Sequence, residues 1–463
     1  MGSALAEPRD RYTTWVADVL FPLHEKLKGH DTLNRIRSLE QTQWLPAARL
    51  AELQLENLRA FLIDIARSVP YYRELFAGIS FAPENLRSLA ELASLPLLTK
   101  PLIRQNVERL KARDAGKLIR YNTGGSSGEP LVFYMGPGRV SHDVAAKWRA
   151  TRWWGVDIGD PEIVVWGSPI ELGAQDRMRQ LRDRLLRTEL LPAFDMSEAN
   201  LDRFIERIEA KRPKMLFGYP SALSYIARHA VKRNKRLDRL GIRVAFVTSE
   251  SLYDHQRRDI ENTFGCRVAN GYGGRDAGFI AHECPEGSLH ITAEDLIVEI
   301  VDAEGRVVPH GEAGEIVVTH LATRDFPFLR YRTGDVGVQD GRTCGCGRGL
   351  PTLREVHGRT TDFVVASDGT VLHGLALIYV VRDLPNIRTF TIVQESLDRT
   401  RVSIVPEAGF DDSLRETIRA GIKARLGRNV AVDVDVVESI AAERSGKHRY
   451  VKSMVSLTGT GGA

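Results

Sequence analysis

Between Tyr121-Asn122 and the apolar segment that starts at Leu131, the chain reads Thr123-Gly124-Gly125-Ser126-Ser127-Gly128-Glu129-Pro130. The three glycines allow the backbone to turn tightly and leave its N–H groups open to a ligand. Three hydroxyl side chains add further hydrogen-bond donors, so the segment can wrap a polyphosphate. It is not a Walker loop, because the Gly-Lys-Ser/Thr ending is absent. A plain glycine–serine hairpin turn is the alternative interpretation of these residues taken alone.

The hydrophobic patterns on the two sides of this loop differ. Before it, apolar residues recur at helical spacing in 50–69, and Pro70 ends that pattern. After it, short apolar runs such as Ile163-Val164-Val165-Trp166 and Val244-Ala245-Phe246-Val247 alternate with amphipathic segments such as 201–210. This alternation predicts α/β layers with a largely parallel sheet.

The pattern of residue types changes at two places in the remaining sequence. Residues 296–301 and 315–319 are rich in β-forming residues, and the turn at 302–305 fits a hairpin. After Gly358, strand-like and helical segments alternate over about a hundred residues, as in a small α+β domain. We predict an α/β protein with a large multilayer N-terminal domain, whose residues 1–100 are helical and 101–360 form the core, and a small α+β domain at 361–463.

Composition excludes several classes of function. The 463 residues include 64 basic and 60 acidic side chains, a net charge of +4 that is too even to indicate a nucleic acid or a membrane surface as partner. No apolar stretch approaches the ~20 residues that span a bilayer, and the first residues do not resemble a secretory signal. Four cysteines do not make a disulfide framework. We therefore expect a cytoplasmic protein without a membrane span.

Two more motifs accompany the phosphate loop: Leu95-Pro96-Leu97-Leu98-Thr99-Lys100 and Phe217-Gly218-Tyr219-Pro220-Ser221-Ala222-Leu223. With these motifs the chain resembles the adenylate-forming superfamily of acyl-CoA synthetases. It is most similar to the phenylacetate-CoA ligase-like group, which includes the capsule-biosynthesis or CapK-like branch. The similarity extends from about Pro70 to Lys447. It implies that 101–360 is an AMP-binding adenylation core and that 361–463 is a mobile lid.

The resemblance also implies an ATP-binding pocket assembled from separate motifs. Residues Thr123 to Gly128 would hold the phosphates. Ser249 and Glu250 belong to a segment, 247–252, that resembles the strand end flanking adenine. The residues that would surround the adenine, with the aromatic ring stacked on it, are Asn270, Gly271, Tyr272 and Gly273. Asp335 ends the ribose-binding signature Tyr331-Arg332-Thr333-Gly334-Asp335, and a carboxylate can accept hydrogen bonds from two vicinal hydroxyls.

Three further positions carry the chemistry in such enzymes. Asp276 falls where the family normally carries Glu as a ligand of ATP-bound Mg²⁺; it keeps the carboxylate but is one methylene shorter. Lys447, in Ser-Gly-Lys-His-Arg, matches the catalytic lysine that stabilises the transition state. Arg359 matches a residue that reaches the nucleotide from the interdomain linker, whose pivot falls on Thr361 or Asp362.

A second metal site involves all four cysteines as candidates: Cys266, Cys284, Cys344 and Cys346. Cys344-Gly345-Cys346 is a tight knuckle, and Cys284 lies six residues before His290. A Cys₃His set of Cys284, His290, Cys344 and Cys346 suits tetrahedral Zn²⁺ in a structural role, because all four positions are filled. Some phenylacetate-CoA ligase-like proteins have a similar arrangement. His282 or Cys266 are alternatives for the fourth ligand.

The resulting hypothesis is an enzyme with two half-reactions. A carboxylic acid reacts with ATP to give an acyl-AMP, and the acyl group then passes to coenzyme A. An amide- or ester-forming ligase with an amine or hydroxyl acceptor, an adenylyltransferase, and a nucleotide-binding scaffold with impaired catalysis are the alternatives. Tyr219, Pro220 and Gly274 would line the acid pocket. The sequence leaves the acid, and the choice between monomer and homodimer, open.

Overall fold

The computed structural model describes residues 10–122, 131–166, 177–193, 196–250, 252–358, 363–382, 384–440 and 451–455. The chain divides into two compact units between Gly358 and Arg359. The helices described in the first unit are α1 (Arg11–Trp15), α2 (Phe21–Leu27), α3 (Thr32–Thr42), α4 (Ala47–Ser68), α5 (Pro70–Gly78), α6 (Lys100–Gln105), α7 (Pro137–Arg152), α8 (Arg177–Leu185), α9 (Glu198–Lys211), α10 (Pro220–Lys232) and α11 (Asp254–Phe264).

Shorter helical turns accompany these helices. A π-helical turn, Val16–Leu20, joins α1 to α2, and 3₁₀ turns lie at Pro83–Asn85 and Leu89–Ser94. The break between α4 and α5 lies at Pro70, which is the first residue of α5. Proline fits there because the first turn of a helix has no intrahelical partner for an N–H. The predicted helical character of the first hundred residues agrees with this succession.

The strands of the first unit are β1 (Ile119–Asn122), β2 (Val132–Met135), β3 (Glu162–Trp166), β4 (Thr188–Pro192), β5 (Met215–Gly218), β6 (Val244–Thr248), β7 (Arg267–Gly274), β8 (Gly278–Glu283), β9 (Leu289–Ile291), β10 (Leu296–Val301), β11 (Ala313–His320), β12 (Phe328–Asp340) and β13 (Thr352–Gly358). In the described ranges, eleven of them form one sheet in the order β10-β11-β12-β13-β9-β8-β7-β6-β5-β3-β4. β1 and β2 form a separate antiparallel pair.

The main sheet has two halves of different pairing. One half of the sheet is parallel and consists of β4, β3, β5, β6 and β7, which are joined through α8 to α11. In the other half, which runs in sheet order β7-β8-β9-β13-β12-β11-β10, every pairing is antiparallel. The prediction of a largely parallel sheet is therefore right for β3 to β7 and wrong for the other half. The direction changes after β7 because only residues 275–277 join it to β8, and a crossover helix needs a longer connection.

The predicted turn at 302–305 exists, but it does not join two long strands directly. The backbone N–H of Asp302 donates to the carbonyl of Arg306 at 2.9 Å, and Val301 forms a single bridge with Val307. β10 then pairs with β11 across the longer connection 302–312. The sequence therefore predicted the local turn correctly but did not predict the length of the connection between β10 and β11.

The core of the parallel half explains its continuous apolar runs. Every residue of β5 and of β6 is buried, because helices cover both faces of these strands. Side chains of α9, α10 and α11 pack on one face with Leu216, Ala245 and Val247. On the other face, Ala150 of α7 packs with Phe217 and Phe246 in a second cluster. These layers hold the carboxyl ends of the parallel strands at one edge.

The second unit contains β14 (Phe363–Val365), β15 (Val371–His373), α12 (Leu375–Arg382), β16 (Ile387–Ser396), β17 (Arg399–Pro406), α13 (Asp412–Leu426), β18 (Ala431–Val436) and β19 (Val451–Ser453). A sheet of order β18-β17-β16-β19 packs its apolar face with α12 and α13. The Asp411 side chain caps α13 by accepting from the N–H of Leu414 at 3.0 Å. The predicted separate α+β unit after Gly358 is thus confirmed.

In the described parts of the chain, no helix combines the length and the apolar character needed to cross a bilayer.

Candidate active site and metal-binding cluster

The parallel strands bring several predicted site residues to one edge of the sheet. β4 lies on one side of β3 and β5 on the other, so the chain reverses its direction of travel between β3 and β5. Open α/β sheets bind ligands outside the carboxyl ends of strands at such a switch point. Tyr219 follows β5, Ser249 follows β6, and Gly274 ends β7. These predicted positions therefore all lie along the same carboxyl edge.

Tyr219 lies directly at the switch point. Its ring stacks on Trp166, the last residue of β3, with centroids 4.3 Å apart and planes inclined by 22°. Pro220 is the buried first residue of α10. At the start of the same helix, the N–H of Ser221 donates to the Glu250 carboxylate at 3.3 Å. Glu250 is thus held at a helix N-terminus, where a negative charge is stabilised.

Ser249 has a backbone conformation that is unusual for its residue type. Its φ is +72°, in the left-handed region that non-glycine residues rarely occupy. Such strain costs of order 1–2 kcal/mol and clusters at ligand-binding sites, where the surrounding structure enforces it. The strained peptide directly follows β6, at the edge that carries Tyr219.

Close packing explains the glycines of the predicted adenine motif. A Cβ at Gly273 would overlap the carbonyl oxygen of Gly278 on β8, and one at Gly271 would lie 2.9 Å from the ring of Phe246. A Cβ at Gly274 would lie 2.7 Å from a carboxylate oxygen of Asp276. A larger residue at Gly273 would therefore move the backbone of the β7–β8 hairpin, whereas one at Gly271 or Gly274 would displace the side chain of Phe246 or Asp276. Asn270, earlier in β7, donates its N–H to the Glu283 carboxylate at 2.8 Å.

Asp276 lies in the turn between β7 and β8 and is only 6% exposed. Its Oδ2 accepts a hydrogen bond from the hydroxyl of Tyr331 at 2.6 Å, and its Oδ1 accepts from the N–H of Ala277 at 3.0 Å. A carboxylate oxygen has two lone pairs, so each oxygen keeps acceptor capacity for a cation. The donor is a hard carboxylate oxygen, which is the ligand type that Mg²⁺ prefers.

Asp335 and Tyr272 also contact each other. The Tyr272 hydroxyl donates to Oδ2 of Asp335 at 2.9 Å. Burial, together with the charge of Asp335, raises the pKa of Tyr272 well above its usual value, so the phenol stays neutral. The N–H of Asp335 donates to the hydroxyl of Thr333 at 3.1 Å. The carboxylate predicted to bind ribose is therefore held in a defined position next to the aromatic residue predicted to bind adenine.

The contact between Tyr272 and Asp335 requires the main sheet to curve. The strands carrying Tyr272 and Asp335, β7 and β12, are four positions apart in the sheet order. In a flat sheet they would be about 19 Å apart, at ~4.8 Å per strand. The 2.9 Å contact between the two side chains means that the antiparallel half curves back towards β7. The curvature closes the site around two motifs about 60 residues apart.

Two residues that support Asp276 were not predicted from the sequence. One is Tyr331, which is fully buried. The other is Arg139 of α7, 2% exposed, whose Nη1 donates to the carbonyl of Asp276 at 3.3 Å and whose Nε donates to Asp143 at 2.9 Å. The available signal was an Arg–Asp pair at helical i,i+4 spacing, which usually indicates a solvated face.

The Arg139–Asp143 pair continues into a buried group that contains His320. The N–H of Ala322 donates to Nδ1 of His320 at 3.3 Å, so the ring proton is on Nε2, 3.8 Å from the Asp143 carboxylate. Burial lowers the pKa of His320 well below its usual value, and the Arg139 charge adds to the effect. Because Arg139 neutralises Asp143, this group is a buried polar network behind the Asp276 turn and a poor cation site.

Several predicted residues lie outside the described part of the chain. They are the phosphate-loop residues Thr123, Gly124, Gly125, Ser126, Ser127 and Gly128, the linker residue Arg359 and the catalytic candidate Lys447. The flanking strands β1 and β2 pair with Asn122 opposite Val132.

The predicted zinc ligands converge. The ligand atoms of Cys284, His290, Cys344 and Cys346 all lie within 4.8 Å of one another. The Sγ atoms of Cys284 and Cys344 are 3.7 Å apart, and Sγ of Cys346 is 3.3 Å from Nε2 of His290. Zn–S bonds of about 2.3 Å in a tetrahedron place sulfurs about 3.8 Å apart. The spacing therefore fits a tetrahedral Zn²⁺ ion.

The protonation of His290 also suits a metal ligand. Its Nδ1 is 3.1 Å from the carbonyl of Leu350 and donates to it, which leaves the lone pair of Nε2 facing the thiols. Burial lowers the pKa of His290 to about 4, so the ring is neutral. Of the alternatives, Cys266 packs in the apolar core beside β6, where burial raises its pKa to about 12, and His282 contributes no atom to this four-residue group.

The cysteine loop is docked against the N-terminal helices. A Cβ at Gly349 would overlap the carbonyl oxygen of Leu45, and the N–H of Gly349 donates to the carbonyl of Gln43 at 3.0 Å. Arg348 lies over the ring of Trp153 at 4.4 Å. Trp153 itself meets the His290 ring edge-on at 5.7 Å. The metal-binding cluster thus joins the sheet to α7 and to the α3–α4 connection.

The Cys₃His cluster and the Asp276 turn lie at opposite ends of β8. Gly278, at its start, follows the Asp276 turn, and Glu283, at its end, precedes Cys284. Six extended residues separate these ends by roughly 17 Å. The Cys₃His group is therefore remote from Asp276, whereas Asn270 of the adenine motif lies close to it, because its N–H donates to Glu283, the residue before Cys284.

Comparison with known proteins agrees with this architecture. The AMP-binding enzyme family matches residues 189–322, and the CapK C-terminal domain family matches residues 364–454. A solved 2-hydroxyisobutyryl-CoA ligase, in complex with 2-HIB-AMP and CoA, shares the fold with a TM-score of 0.65 and 20% identity, over 89% of this chain and 91% of that chain. The fold and the family matches define an ATP-dependent adenylate-forming ligase.

Sequence relatives specify the group. Protein CapK of Staphylococcus aureus is 26% identical over 405 residues, which cover 87% of this chain and 88% of that protein. The phenylacetate-coenzyme A ligase of Thermus thermophilus is 26% identical over 335 residues, 70% of this chain and 74% of that protein. Together, the family matches and these relatives support the adenylate-forming superfamily and, within it, the phenylacetate-CoA ligase and CapK-like group.

Proposed function

We propose that this ligase activates a carboxylic acid as an acyl-AMP and transfers the acyl group to coenzyme A. The observation that carries the choice of acceptor is the similarity to phenylacetate-coenzyme A ligases, including those of Thermus thermophilus and Pseudomonas putida, both 26% identical to this chain. The crevice at the carboxyl edge supports the first step, because it gathers residues of the predicted acid and nucleotide motifs.

Two displacements make up the reaction. A carboxylate oxygen of the acid attacks the α-phosphorus of ATP, and the bond to the β-phosphate oxygen breaks to release pyrophosphate. The sulfur of coenzyme A then attacks the acyl carbonyl carbon. The C–O bond to AMP breaks, AMP leaves as the anion, and the thiol proton passes to solvent. No redox change occurs in either step.

The residues divide between substrate binding and charge stabilisation. Asp335 would accept hydrogen bonds from the ribose hydroxyls beside Tyr272, and the phosphate loop from Thr123 to Gly128 would hold the phosphates. Asp276 would bind the nucleotide's Mg²⁺. Lys447 would stabilise the negative charge that develops as the acid attacks, and Arg359 would contact the nucleotide. Mobility of the unit at 361–463 would bring Lys447 to the site for one half-reaction.

The acid pocket would lie at the switch point between β3 and β5. Tyr219 stacks on Trp166 there. Pro220 starts α10 beside it, and Gly274 borders the Asp276 turn. The rings of Tyr219 and Trp166 would contact the apolar part of the acid, with its carboxylate towards the nucleotide.

The Cys₃His cluster would hold a structural Zn²⁺. The four donors fill a tetrahedral shell and leave no position for water. The cluster lies at the far end of β8, roughly 17 Å from the Asp276 end. Reduced thiols in this number suit a reducing compartment, which supports a cytoplasmic location.

The decisive experiment is ATP–pyrophosphate exchange with a panel of carboxylic acids, followed by thioester detection with and without coenzyme A. We expect acid-dependent exchange and, with that acid, formation of an acyl-CoA. Lys447→Ala should slow exchange by at least 100-fold, as loss of an electrostatic transition-state contact typically does. Lys452→Ala, an exposed lysine on β19, is the matched control and should retain activity.

Different results would contradict different parts of the proposal. Exchange without any thioester would reject coenzyme A, and product formation with amines would then favour an amide-forming ligase. Absence of exchange with every acid would reject the proposed adenylation itself. Equal activity of the Lys447 variant and wild type would remove Lys447 from the mechanism.

A further inference from the structure

Two tyrosine–aspartate hydrogen bonds, one part-buried and one buried, connect the adenine and ribose motifs crosswise. Tyr272 of the first motif donates to Asp335 of the second at 2.9 Å. Tyr331 of the second motif donates to Asp276 of the first at 2.6 Å. Each motif therefore supplies one phenol and one carboxylate. The two carboxylates are those expected to contact the two chemically distinct parts of Mg·ATP, the ribose and the metal.

The second of these bonds lies deeper in the protein. Tyr331 is fully buried and Asp276 is 6% exposed, so this bond is largely shielded from solvent. The ring of Tyr331 packs edge-on against Phe328 at 5.1 Å. Arg139 donates to the backbone carbonyl of Asp276 at 3.3 Å. The carboxylate and its peptide are thus held by two different side chains.

We propose that Tyr331 is a positioning residue for the metal: its hydroxyl fixes the Asp276 carboxylate at the orientation that binds nucleotide-bound Mg²⁺. The inference rests on the proposed role of Asp276. Aspartate has a short side chain whose terminal torsion is broad, so an unrestrained carboxylate samples orientations that do not face the metal. A hydrogen bond from an outer residue to a ligating carboxylate selects one orientation and typically changes metal affinity 10–100-fold.

The test compares ATP binding with and without metal. Tyr331→Phe removes the hydroxyl and keeps the ring, so the packing on Phe328 remains. We expect the calorimetric Kd for Mg·ATP to rise at least about tenfold, and the Kd for ATP in excess EDTA to stay within about twofold. A merely structural loss would weaken both. Tyr72→Phe is the matched control: it is another buried tyrosine, its hydroxyl bonds to the carbonyl of Pro327 at 3.4 Å, and both Kd values should be unchanged.

A double variant tests whether Tyr331 acts through Asp276. In an Asp276→Asn background, Tyr331→Phe should cause no further rise in the Kd for Mg·ATP. A further tenfold rise in that background, or equal weakening of metal-free and metal-bound ATP, would overturn the inference. Because the measurement needs neither an acid nor turnover, it decides the role of Tyr331 even if the exchange assay rejects the proposed reaction.

Discussion

Replacement of Cys284 by serine should abolish zinc binding and destabilise the first unit. The metal would connect Cys284 to Cys344, 60 residues further along the chain. In the chain-entropy treatment of cross-links, closing a loop of about 60 residues lowers the conformational entropy of the unfolded chain. This raises the free energy of unfolding by about 4 kcal/mol. Serine does not provide a thiolate, and a three-ligand site releases the metal. We therefore expect the free energy of unfolding to fall by up to about 4 kcal/mol.

The assay combines metal content with equilibrium unfolding. Purified wild type should contain one zinc per chain by mass spectrometry, and Cys284→Ser should contain none. Cys266→Ala is the matched control, because that buried cysteine packs in the apolar core and belongs to no metal group in the described residues. It should keep its zinc and lose only about 1 kcal/mol from reduced packing. Zinc-free wild type, or a Cys284 variant as stable as wild type, would refute the reasoning.

Three further outcomes follow from buried contacts. His320→Asn should flatten the pH dependence of stability below about pH 6.5 by up to ~1.4 kcal/mol per pH unit, because the depressed pKa of the folded histidine means that the unfolded state binds the extra proton; an unchanged slope in urea titrations would contradict this. Arg330→Met should lower the free energy of unfolding in urea by about 3–5 kcal/mol, because Glu299, which accepts from Nε of Arg330 at 2.9 Å, would remain buried without its partner. The double variant that also carries Glu299→Gln should recover part of that loss, and no recovery would count against the ion pair. Gly349→Ala should lower the thermal midpoint through an overlap worth about 1–3 kcal/mol, whereas Gly345→Ala, with open space around it, should not; equal midpoints would mean that the loop is not docked as described.

Local patterns determined which parts of the fold could be predicted. The buried strands at 163–166 and 244–247 were recognisable because parallel strands between helices are continuously apolar. The antiparallel half was not, because its pairing depends on partners far along the chain. The helix Leu375–Arg382 was also missed. Its sequence is an apolar run with β-branched residues, which periodicity cannot distinguish from a strand.

The candidate site could be predicted where the residue types and their spacing indicate a particular ligand. Cys284, His290 and the Cys-Gly-Cys knuckle have ligand types and spacings that indicated zinc. The fourth ligand stayed open because His282 and His290 are both near Cys284, and they pair directly across β8 and β9. In the folded protein, His290 is distinguished by its Nε2, which lies 3.3 Å from Sγ of Cys346, and by its hydrogen bond to the Leu350 carbonyl. The buried partner of Asp276 was likewise invisible, because its contact depends on the curl of the sheet.

Strand β8 connects the proposed reactive crevice to the proposed structural zinc site. Its first residue, Gly278, has a φ of +89° and lies against Arg139 and His320, so the crevice end is set by tight packing. Its last residue, Glu283, leads into the cysteine cluster. A short strand whose far end was free could slide or fray, and any slip would displace Asp276 relative to Tyr331. The proposed zinc would fix the far end and so restrain the register of β8. It would thereby stabilise the geometry of the Asp276 turn without taking part in the reaction.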